Sequence, residues 1–395
     1  MTVRAQEIHS RQQRQPLSRA INVYGMFAVP RCLSSVCRTP VSAVSTTVRP
    51  CRNIATAPTT IADLEMTTDE IDASPDSAMS RAKAIYDEHG CLVVRGLNRK
   101  YVANIRLHAD KIFQQSLALL EQGKAKEHIN PESGKLLGWL TPDQTLWIPS
   151  HPRQDGRDKQ VMVLGLDYFN SSALFDAATD DRTLDMVQCL LQDENIELFS
   201  KGQCFFKEGQ EVNRDGAIHR SNPKLMHQDS AYFMFAKQGA CATLNYAVDT
   251  STELDNGPLY VVPGSHKNGH IEHVDTPSHL GLTEAEGYSF EMDGAIPIDG
   301  KAGDAVFFNI HTVHGSTGNT STVARASFIN RYITADDYQT YFATDTVMRK
   351  EARAKYEEGL ATGMLPPKER NFIVRGVRSW DDDGPKWVLN EGVNH

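Results

Sequence analysis

Several features that would place a chain in a common class are absent from these 395 residues. No run of 18 or more apolar residues occurs, which argues against a transmembrane helix. Neither a GxxxxGK[ST] nor a GxGxxG phosphate loop is present, so a nucleotide-binding fold is not indicated. The formal net charge of −9 disfavours a general binding surface for nucleic acids or anionic membranes.

Cysteine offers no structural framework either. The seven cysteines form no compact pairs with the spacing of a metal site, and their odd number does not suggest secreted disulfides. A reducing compartment is the simpler interpretation. The remaining composition, with 40% apolar and 23% charged residues, is that of a globular protein long enough to bury a large core.

The N-terminus differs from the rest of the chain. Residues 1–54 contain eight arginines and a single acidic residue but no lysine, which is typical of an organellar transit peptide. We expect mitochondrial import with processing near Arg52; a plastid address and a disordered basic arm are the alternatives. Residues 55–77 are interpreted as a polar linker, 78–345 as the main domain, and 346–395 as a C-terminal extension that packs on it.

Short strand-like runs dominate the chain from Glu197 onward. Clusters of Gly, Pro, Asn and Asp separate roughly eight of them, which favours a barrel or jelly roll over a parallel sheet with crossover helices. Helical patterns lie upstream, at Ala78–His89, Tyr101–Gln122 and Ser171–Gln192. The sequence therefore predicts a mainly β protein with flanking helices.

Residues 123–160 separate two of the predicted helices and are rich in Lys, Pro, Asp and Gly. This composition predicts a long irregular segment. Such a segment is often the lid or wall of an active site, although a plain insertion is an equal alternative.

A metal-binding pattern occurs at His227-Gln228-Asp229, where an imidazole and a carboxylate are two residues apart. On a β-strand such residues point to the same face and can reach one metal ion. His314 lies on a separate predicted strand and completes the two-histidine, one-carboxylate triad that binds non-haem Fe(II). His311 is an alternative third ligand, but on a strand it faces the side opposite to His314.

Arg325 follows this metal-binding pattern, eleven residues after His314. On a strand, Arg325 shares one face with Ser327, Ile329 and Arg331, and a buried guanidinium there needs an anionic partner. A carboxylate such as C5 of 2-oxoglutarate matches the guanidinium fork.

Three other histidines, His266, His270 and His273, lie close together in the sequence. A zinc cluster is one interpretation, but no cysteine is nearby and the spacing is irregular. We interpret these residues as part of a surface loop that follows a turn.

Four segments together resemble the phytanoyl-CoA dioxygenase family of Fe(II)/2-oxoglutarate oxygenases. These are KLMHQDSAYF, DNGPLYVVPGSHKNGH, KAGDAVFFNIHTVHGS and the arginine that follows. The resemblance covers most of the main domain and includes the order and spacing of the motifs. It implies a double-stranded β-helix, which is a cupin-like jelly roll, and it makes residues 78–345 a dioxygenase domain.

The resemblance also implies roles for individual residues. The implied iron ligands are His227, Asp229 and His314. Arg325 would bind the distal carboxylate of 2-oxoglutarate, with the hydroxyl of Ser316 beside it. Lys207 is a looser match for a lysine that some members place against this co-substrate.

The implied activity is that of an Fe(II)- and 2-oxoglutarate-dependent dioxygenase. It would use O₂ to hydroxylate a small-molecule or acyl substrate, acyl-CoA among the candidates, and release succinate and CO₂. Asp229 favours hydroxylation, because related halogenases replace this carboxylate with a small residue. Several members carry Trp where this chain has Leu244-Asn245-Tyr246, which leaves the substrate open.

Two hypotheses from other classes are retained. The first keeps the same three ligands but binds a different metal for hydrolysis or isomerisation, without oxidation. The second is a catalytically silent jelly-roll scaffold. Arg325 at its spacing speaks against the first, and the intact set of ligands speaks against the second.

Overall fold

The computed structural model describes residues 59–378 with gaps, the longest of which are 150–157, 210–220, 283–293 and 341–370. The predicted transit peptide and most of the predicted C-terminal extension therefore lie outside the described residues. Crossing a membrane would need a longer apolar helix than any in this part of the chain.

Helices occupy the N-terminal part of the described chain. They are α1 (Thr68–Ala73), α2 (Pro75–His89), α3 (Val102–Glu121), α4 (Ser172–Ala178) and α5 (Asp181–Leu191). Helix α2 ends at Gly90, which adopts a left-handed conformation with φ of 73°. The single helix predicted over Ser171–Gln192 is in fact two, because the Asp180 carboxylate accepts the N–H of Arg182 and starts a new helix.

Most of the remaining described structure is β. The strands are β1 (Glu65–Thr67), β2 (Cys91–Arg95), β3 (Lys126–Ile129), β4 (Leu136–Leu140), β5 (Leu146–Pro149), β6 (Lys159–Leu164), β7 (Ile196–Leu198), β8 (Gln203–Lys207), β9 (Lys224–His227), β10 (Met234–Phe235), β11 (Ala240–Tyr246), β12 (Leu259–Val261), β13 (Val274–Asp275), β14 (Leu280–Gly281), β15 (Ile296–Ile298), β16 (Ala305–Asn309), β17 (His314–Ser316), β18 (Arg325–Thr334), β19 (Gln339–Thr340) and β20 (Phe372–Arg375).

Eight of these strands form the body of the fold. The order β16-β11-β18-β8 makes the centre of a large antiparallel sheet, and β15-β12-β17-β9 makes a second antiparallel sheet. In chain order these strands alternate between the two sheets, except that β12 and β15 follow one another in the second sheet. This is the connectivity of a double-stranded β-helix. The predicted jelly roll is confirmed.

Two hydrophobic layers cover the faces of the large sheet. Leu244 of β11 and Phe308 of β16 point inward and pack with Val261 of the second sheet. Phe307 and Phe328 point outward into a separate cluster that includes residues of the helices. This alternation follows from the two-residue period of a strand, and it leaves the space between the sheets for the site described below.

Strands β6, β5, β4 and β3 extend the large sheet beyond β8 as an antiparallel meander. The prediction of an irregular segment over residues 123–160 is therefore wrong for most of the residues that the structure describes there. Trp147 of β5 is fully buried, and its indole N–H donates to the Ser116 hydroxyl of α3 at 3.0 Å. The strands were missed because each is only four to six residues long and lies between turn-forming residues.

The polar linker predicted for residues 55–77 is also wrong over much of its described length. Strand β1 pairs in parallel with β2, and both Leu64 and Met66 are buried. Arg95 of β2 joins this segment to the barrel, because it bonds Glu65 at 2.6 Å and Asp304 at 2.8 Å. At the other end of the chain, β20 pairs with β7, and β7 pairs with β18.

Candidate metal centre

The three predicted metal ligands meet between the two sheets. His227 ends β9 and His314 begins β17, and the antiparallel pairing of these strands places the two residues opposite each other. Asp229 begins a 3₁₀ turn after Gln228, so the strand predicted to carry both His227 and Asp229 ends at His227. Its Oδ1 lies 4.0 Å from His227 Nε2 and 3.9 Å from His314 Nε2. All three side chains are buried, so the group lies in the interior of the fold.

Hydrogen bonds to the backbone fix the tautomer of both rings. His227 Nδ1 lies 2.9 Å from the Leu225 carbonyl oxygen, and His314 Nδ1 lies 2.9 Å from that of Thr312. A carbonyl oxygen only accepts, so each Nδ1 carries the proton and donates it. The lone pair of each ring is therefore on Nε2, the atom that faces Asp229, and neutral Nε2 is a common metal ligand.

Arg331 of β18 holds the carboxylate of Asp229. Its Nε donates to Asp229 Oδ2 at 3.2 Å, while Nη1 donates to Gln203 Oε1 at 3.1 Å. Burial alone would raise the pKa of Asp229, but Arg331 and His314 oppose that effect and hold the pKa below its usual value. The result is an ionised carboxylate whose Oδ1 faces the two imidazoles.

The arrangement fits one metal ion. Across the described ranges, these three residues form the group of His, Cys, Asp or Glu side chains whose ligand atoms converge, all lying within 4.8 Å of one another. Metal–ligand bonds of about 2.0–2.2 Å allow two ligands of one ion to be separated by up to about 4.4 Å, and both distances from Asp229 Oδ1 lie within this range. Two imidazole nitrogens and one carboxylate oxygen are the donor set expected for non-haem Fe(II).

The alternative ligand His311 does not join this group. Its backbone carbonyl accepts a hydrogen bond from Gln228, and its ring interacts electrostatically with His270 and His266 rather than with Asp229. Burial lowers the pKa of the ring to about 4. The geometry therefore selects His314.

The surface loop predicted for the other three histidines is wrong for His273, which is 1% exposed. Its Nε2 accepts the backbone N–H of Gln228 at 2.8 Å. His270 Nδ1 lies 2.8 Å from the Ser230 hydroxyl. These bonds hold His270 and His273 against the segment that follows β9.

Arg325 lies on the inner face of β18, where the alternation of the strand aligns it with Arg331. The residue is 2% exposed, and its Nε and Nη2 have no hydrogen-bond partner among the described residues. Burial lowers the pKa of the guanidinium. An unsatisfied buried cation is costly, and a carboxylate bound between the sheets would satisfy it.

Lys207 of β8 faces the same space, because it is paired directly with Arg325 in the sheet. Its ammonium donates to the Thr317 carbonyl. Burial and the neighbouring Arg325 lower the pKa of Lys207 well below its usual value. Ser316, the third predicted co-substrate residue, is buried and lies opposite Leu259, a member of the inner core.

Two basic residues near the ligands were not predicted as site residues. Arg331 was placed on the face of Arg325, but its contact with Asp229 depends on how two distant strands meet. Lys224 lies opposite Ser316, with its ammonium 5.1 Å from the ring of Phe205. Burial lowers the pKa of Lys224 to about 8, although Asp229 opposes this shift. Its position just before the metal motif is the only sequence signal for it.

Several family members carry Trp where this chain has Leu244-Asn245-Tyr246, and only part of this segment faces the space between the sheets. Asn245 accepts a hydrogen bond from Asn98 at 2.6 Å and lies on the outer face of β11. Leu244 and Tyr246 point inward instead, and the Tyr246 hydroxyl donates to the Ile298 carbonyl at 3.1 Å. The inner wall at this strand is thus formed by Leu244 and Tyr246.

Comparison with known proteins agrees with this geometry. The model of the family described as Phytanoyl-CoA dioxygenase (PhyH) matches residues 86–327, more than half of the chain. The chain belongs to the phytanoyl-CoA dioxygenase family. The resemblance noted in the sequence is confirmed, and the match includes all six residues predicted to bind iron or 2-oxoglutarate.

Individual relatives match this chain at low sequence identity or over a short segment. Ectoine dioxygenase of Stutzerimonas stutzeri is 34% identical over 101 residues, which is 22% of this chain and 33% of that protein. A probable phytanoyl-CoA dioxygenase of Caenorhabditis elegans is 24% identical over 257 residues, 64% of this chain and 75% of that protein. The chain thus spans about a third of the length of the ectoine dioxygenase that it matches.

Among solved structures, the epimerase SnoN in complex with Fe3+, alpha ketoglutarate and nogalamycin RO is similar to this chain. The TM-score is 0.45 and the sequence identity is 20%. The match covers 67% of this chain and 86% of the epimerase. The assignment to the family rests on the sequence match and on the geometry of the site.

Proposed function

We propose that the protein is an Fe(II)- and 2-oxoglutarate-dependent dioxygenase that hydroxylates a small-molecule or acyl substrate. The observation that carries the proposal is the convergence of His227 Nε2, His314 Nε2 and Asp229 Oδ1 in the interior of a jelly roll. The guanidinium of Arg325 faces the same inner space, and its Nε and Nη2 have no partner among the described residues, which supports 2-oxoglutarate as the co-substrate. Membership of the family supports both parts of the proposal.

Each side chain has a defined task in this proposal. His227, His314 and Asp229 would hold Fe(II) and leave the remaining positions for co-substrate and O₂. Together, Fe(II) and 2-oxoglutarate supply the oxidation: O₂ delivers one oxygen atom to a C–H bond of the substrate, and succinate and CO₂ are released. Arg325 and Lys207 would neutralise the distal carboxylate and orient the co-substrate. The surrounding sheets exclude water from the reacting atoms.

Succinate formation tests this function. The full chain, purified without oxygen and supplied with Fe(II), 2-oxoglutarate and O₂, is expected to release succinate, and His227→Ala is expected to release none. A panel of acyl-CoA thioesters and small carboxylic acids, added in turn, should increase succinate release only when a compound is a substrate. Succinate released in proportion to a hydroxylated product would identify that substrate.

The same experiment separates the rival hypotheses. A hydrolase or isomerase with the same ligands would bind metal and convert its substrate without consuming O₂. A silent scaffold would bind no metal. If the parent protein binds neither Fe(II) nor 2-oxoglutarate in calorimetry, the dioxygenase proposal is rejected.

We propose that residues 1–54 direct the protein to mitochondria, with the plastid as the alternative. The support is the excess of arginine and the near absence of acids in this segment. A fluorescent protein fused after residue 54 is expected to enter mitochondria, and replacement of all eight arginines by Gln should leave it in the cytosol. Cytosolic fluorescence from the unaltered fusion would contradict the proposal.

A further inference from the structure

Gln228 lies between two of the proposed metal ligands and is fully buried. Its side-chain nitrogen donates to the carbonyl oxygens of Gly269 at 2.8 Å and His311 at 2.6 Å. Its side-chain oxygen accepts the backbone N–H of Ile271 at 2.7 Å. One amide thus uses both its donors and its acceptor on the backbone of two other chain segments, and it fixes those segments relative to β9.

The backbone of Gln228 is held as firmly as its side chain. Its N–H donates to His273 Nε2 at 2.8 Å, and His273 Nδ1 lies 2.6 Å from the Ile271 carbonyl oxygen. Because that carbonyl only accepts, Nδ1 carries the ring proton and Nε2 is free to accept. Burial lowers the pKa of His273 to about 4, so the ring stays a neutral acceptor at physiological pH.

One of the two segments that Gln228 joins also carries the third ligand. His311 is three residues before His314, and its N–H donates to the side chain of Asn309 at 2.9 Å. The turn after β9 reaches the same segment, because the N–H of Ser230 donates to the Ile310 carbonyl at 2.9 Å. Beyond the pairing of β9 with β17, the relative placement of the ligands therefore depends on the bonds of one amide side chain and one turn.

We propose that Gln228 and His273 are positioning residues for the metal centre. Gln228 fixes the two ligand-bearing segments to each other, and His273 fixes the backbone between His227 and Asp229. The inference rests on the proposed function, because it takes the triad as a metal site. Hydrogen-bonded partners that orient metal ligands typically change metal affinity about 10–100-fold when they are removed. A residue that only filled space would instead affect folding.

The test is metal binding by the full chain, with Mn(II) and Co(II) as probes. Gln228→Met keeps the length of the side chain but removes its hydrogen bonds, and Gln228→Glu places a carboxylate against two carbonyl oxygens. We expect both variants to bind Mn(II) about 10–100-fold more weakly in calorimetry. We also expect the visible absorption of bound Co(II) to change, since it reports coordination geometry. His273→Leu, which removes the two bonds of that ring to Gln228 and Ile271, should act in the same direction and remain folded.

Asn256 provides a matched control, because it is also a buried amide bonded to the backbone. Its Nδ2 donates to the Asp249 carbonyl at 2.8 Å, and its Oδ1 accepts the N–H of Ser251 at 3.1 Å. This turn carries none of the proposed ligands. Asn256→Leu is expected to lower the melting temperature while leaving Mn(II) affinity and the Co(II) spectrum unchanged.

Each outcome decides a different point. Parent-like Mn(II) affinity and Co(II) absorption in Gln228→Met and His273→Leu would overturn the positioning role, as would an equal loss of affinity in Asn256→Leu. If the parent itself bound Mn(II) no better than His227→Ala, the proposed function would fail instead. Weaker binding confined to the Gln228 and His273 variants would support the inference.

Discussion

Replacing Arg325 by Met is expected to stabilise the ligand-free protein and to weaken its binding of 2-oxoglutarate. The guanidinium is buried with two nitrogens unpartnered among the described residues, and exchanging a buried charged group for an apolar one of similar volume is often neutral or stabilising, by about 1–4 kcal/mol. Charge-assisted hydrogen bonds contribute about 1.5–3 kcal/mol each, so affinity should fall at least about tenfold. Denaturant unfolding and calorimetry with Mn(II)-loaded protein measure the two effects.

Arg95 is the matched control for this substitution, since it is a partly buried arginine that is fully paired. It bonds Glu65 and Asp304, so Arg95→Met should lower the free energy of unfolding and leave the affinity for 2-oxoglutarate unchanged. A higher free energy of unfolding for Arg325→Met and a lower one for Arg95→Met would show that Arg325 serves to bind a ligand. Parent-like affinity for 2-oxoglutarate in Arg325→Met would remove this arginine from the co-substrate site.

Replacing Asp229 by Ala is expected to abolish metal binding and also to destabilise the metal-free protein. The carboxylate bonds Arg331, which is 3% exposed, and breaking a buried ion pair by removing one partner costs about 3–5 kcal/mol. The remaining guanidinium keeps its bond to Gln203 but loses its bond to the carboxylate. Urea unfolding of the metal-free protein measures this loss.

The double variant Asp229→Ala/Arg331→Met separates the two roles of the carboxylate. Removing the guanidinium as well should recover much of the lost stability, whereas metal binding should stay absent. A double-mutant cycle with Arg331→Met alone then gives the coupling energy of the pair. If Asp229→Ala retained the metal affinity of the parent, the assignment of this carboxylate as a ligand would be wrong.

The sequence by itself determined the class of fold and the residue types of the site. Short apolar runs between turn-forming residues indicated the jelly roll, because strand period and turn chemistry are local properties. The spacing of His227 and Asp229, with His314 on a later strand, indicated a metal site, although Asp229 lies on the turn after the strand and not on the strand itself. Helix α2 and its end before Gly90 could also be predicted from the sequence, because a helix C-cap is set by neighbouring residues.

Only the tertiary structure decided which side chains meet. The choice of His314 over His311 follows from the pairing of β17 with β9, and the contact of Arg331 with Asp229 joins residues 102 positions apart in the chain. The meander within residues 123–160 was likewise invisible, because its short strands are stabilised by addition to β8 rather than by their own pattern. Pairing register and packing between distant segments carry this information, and no local pattern records it.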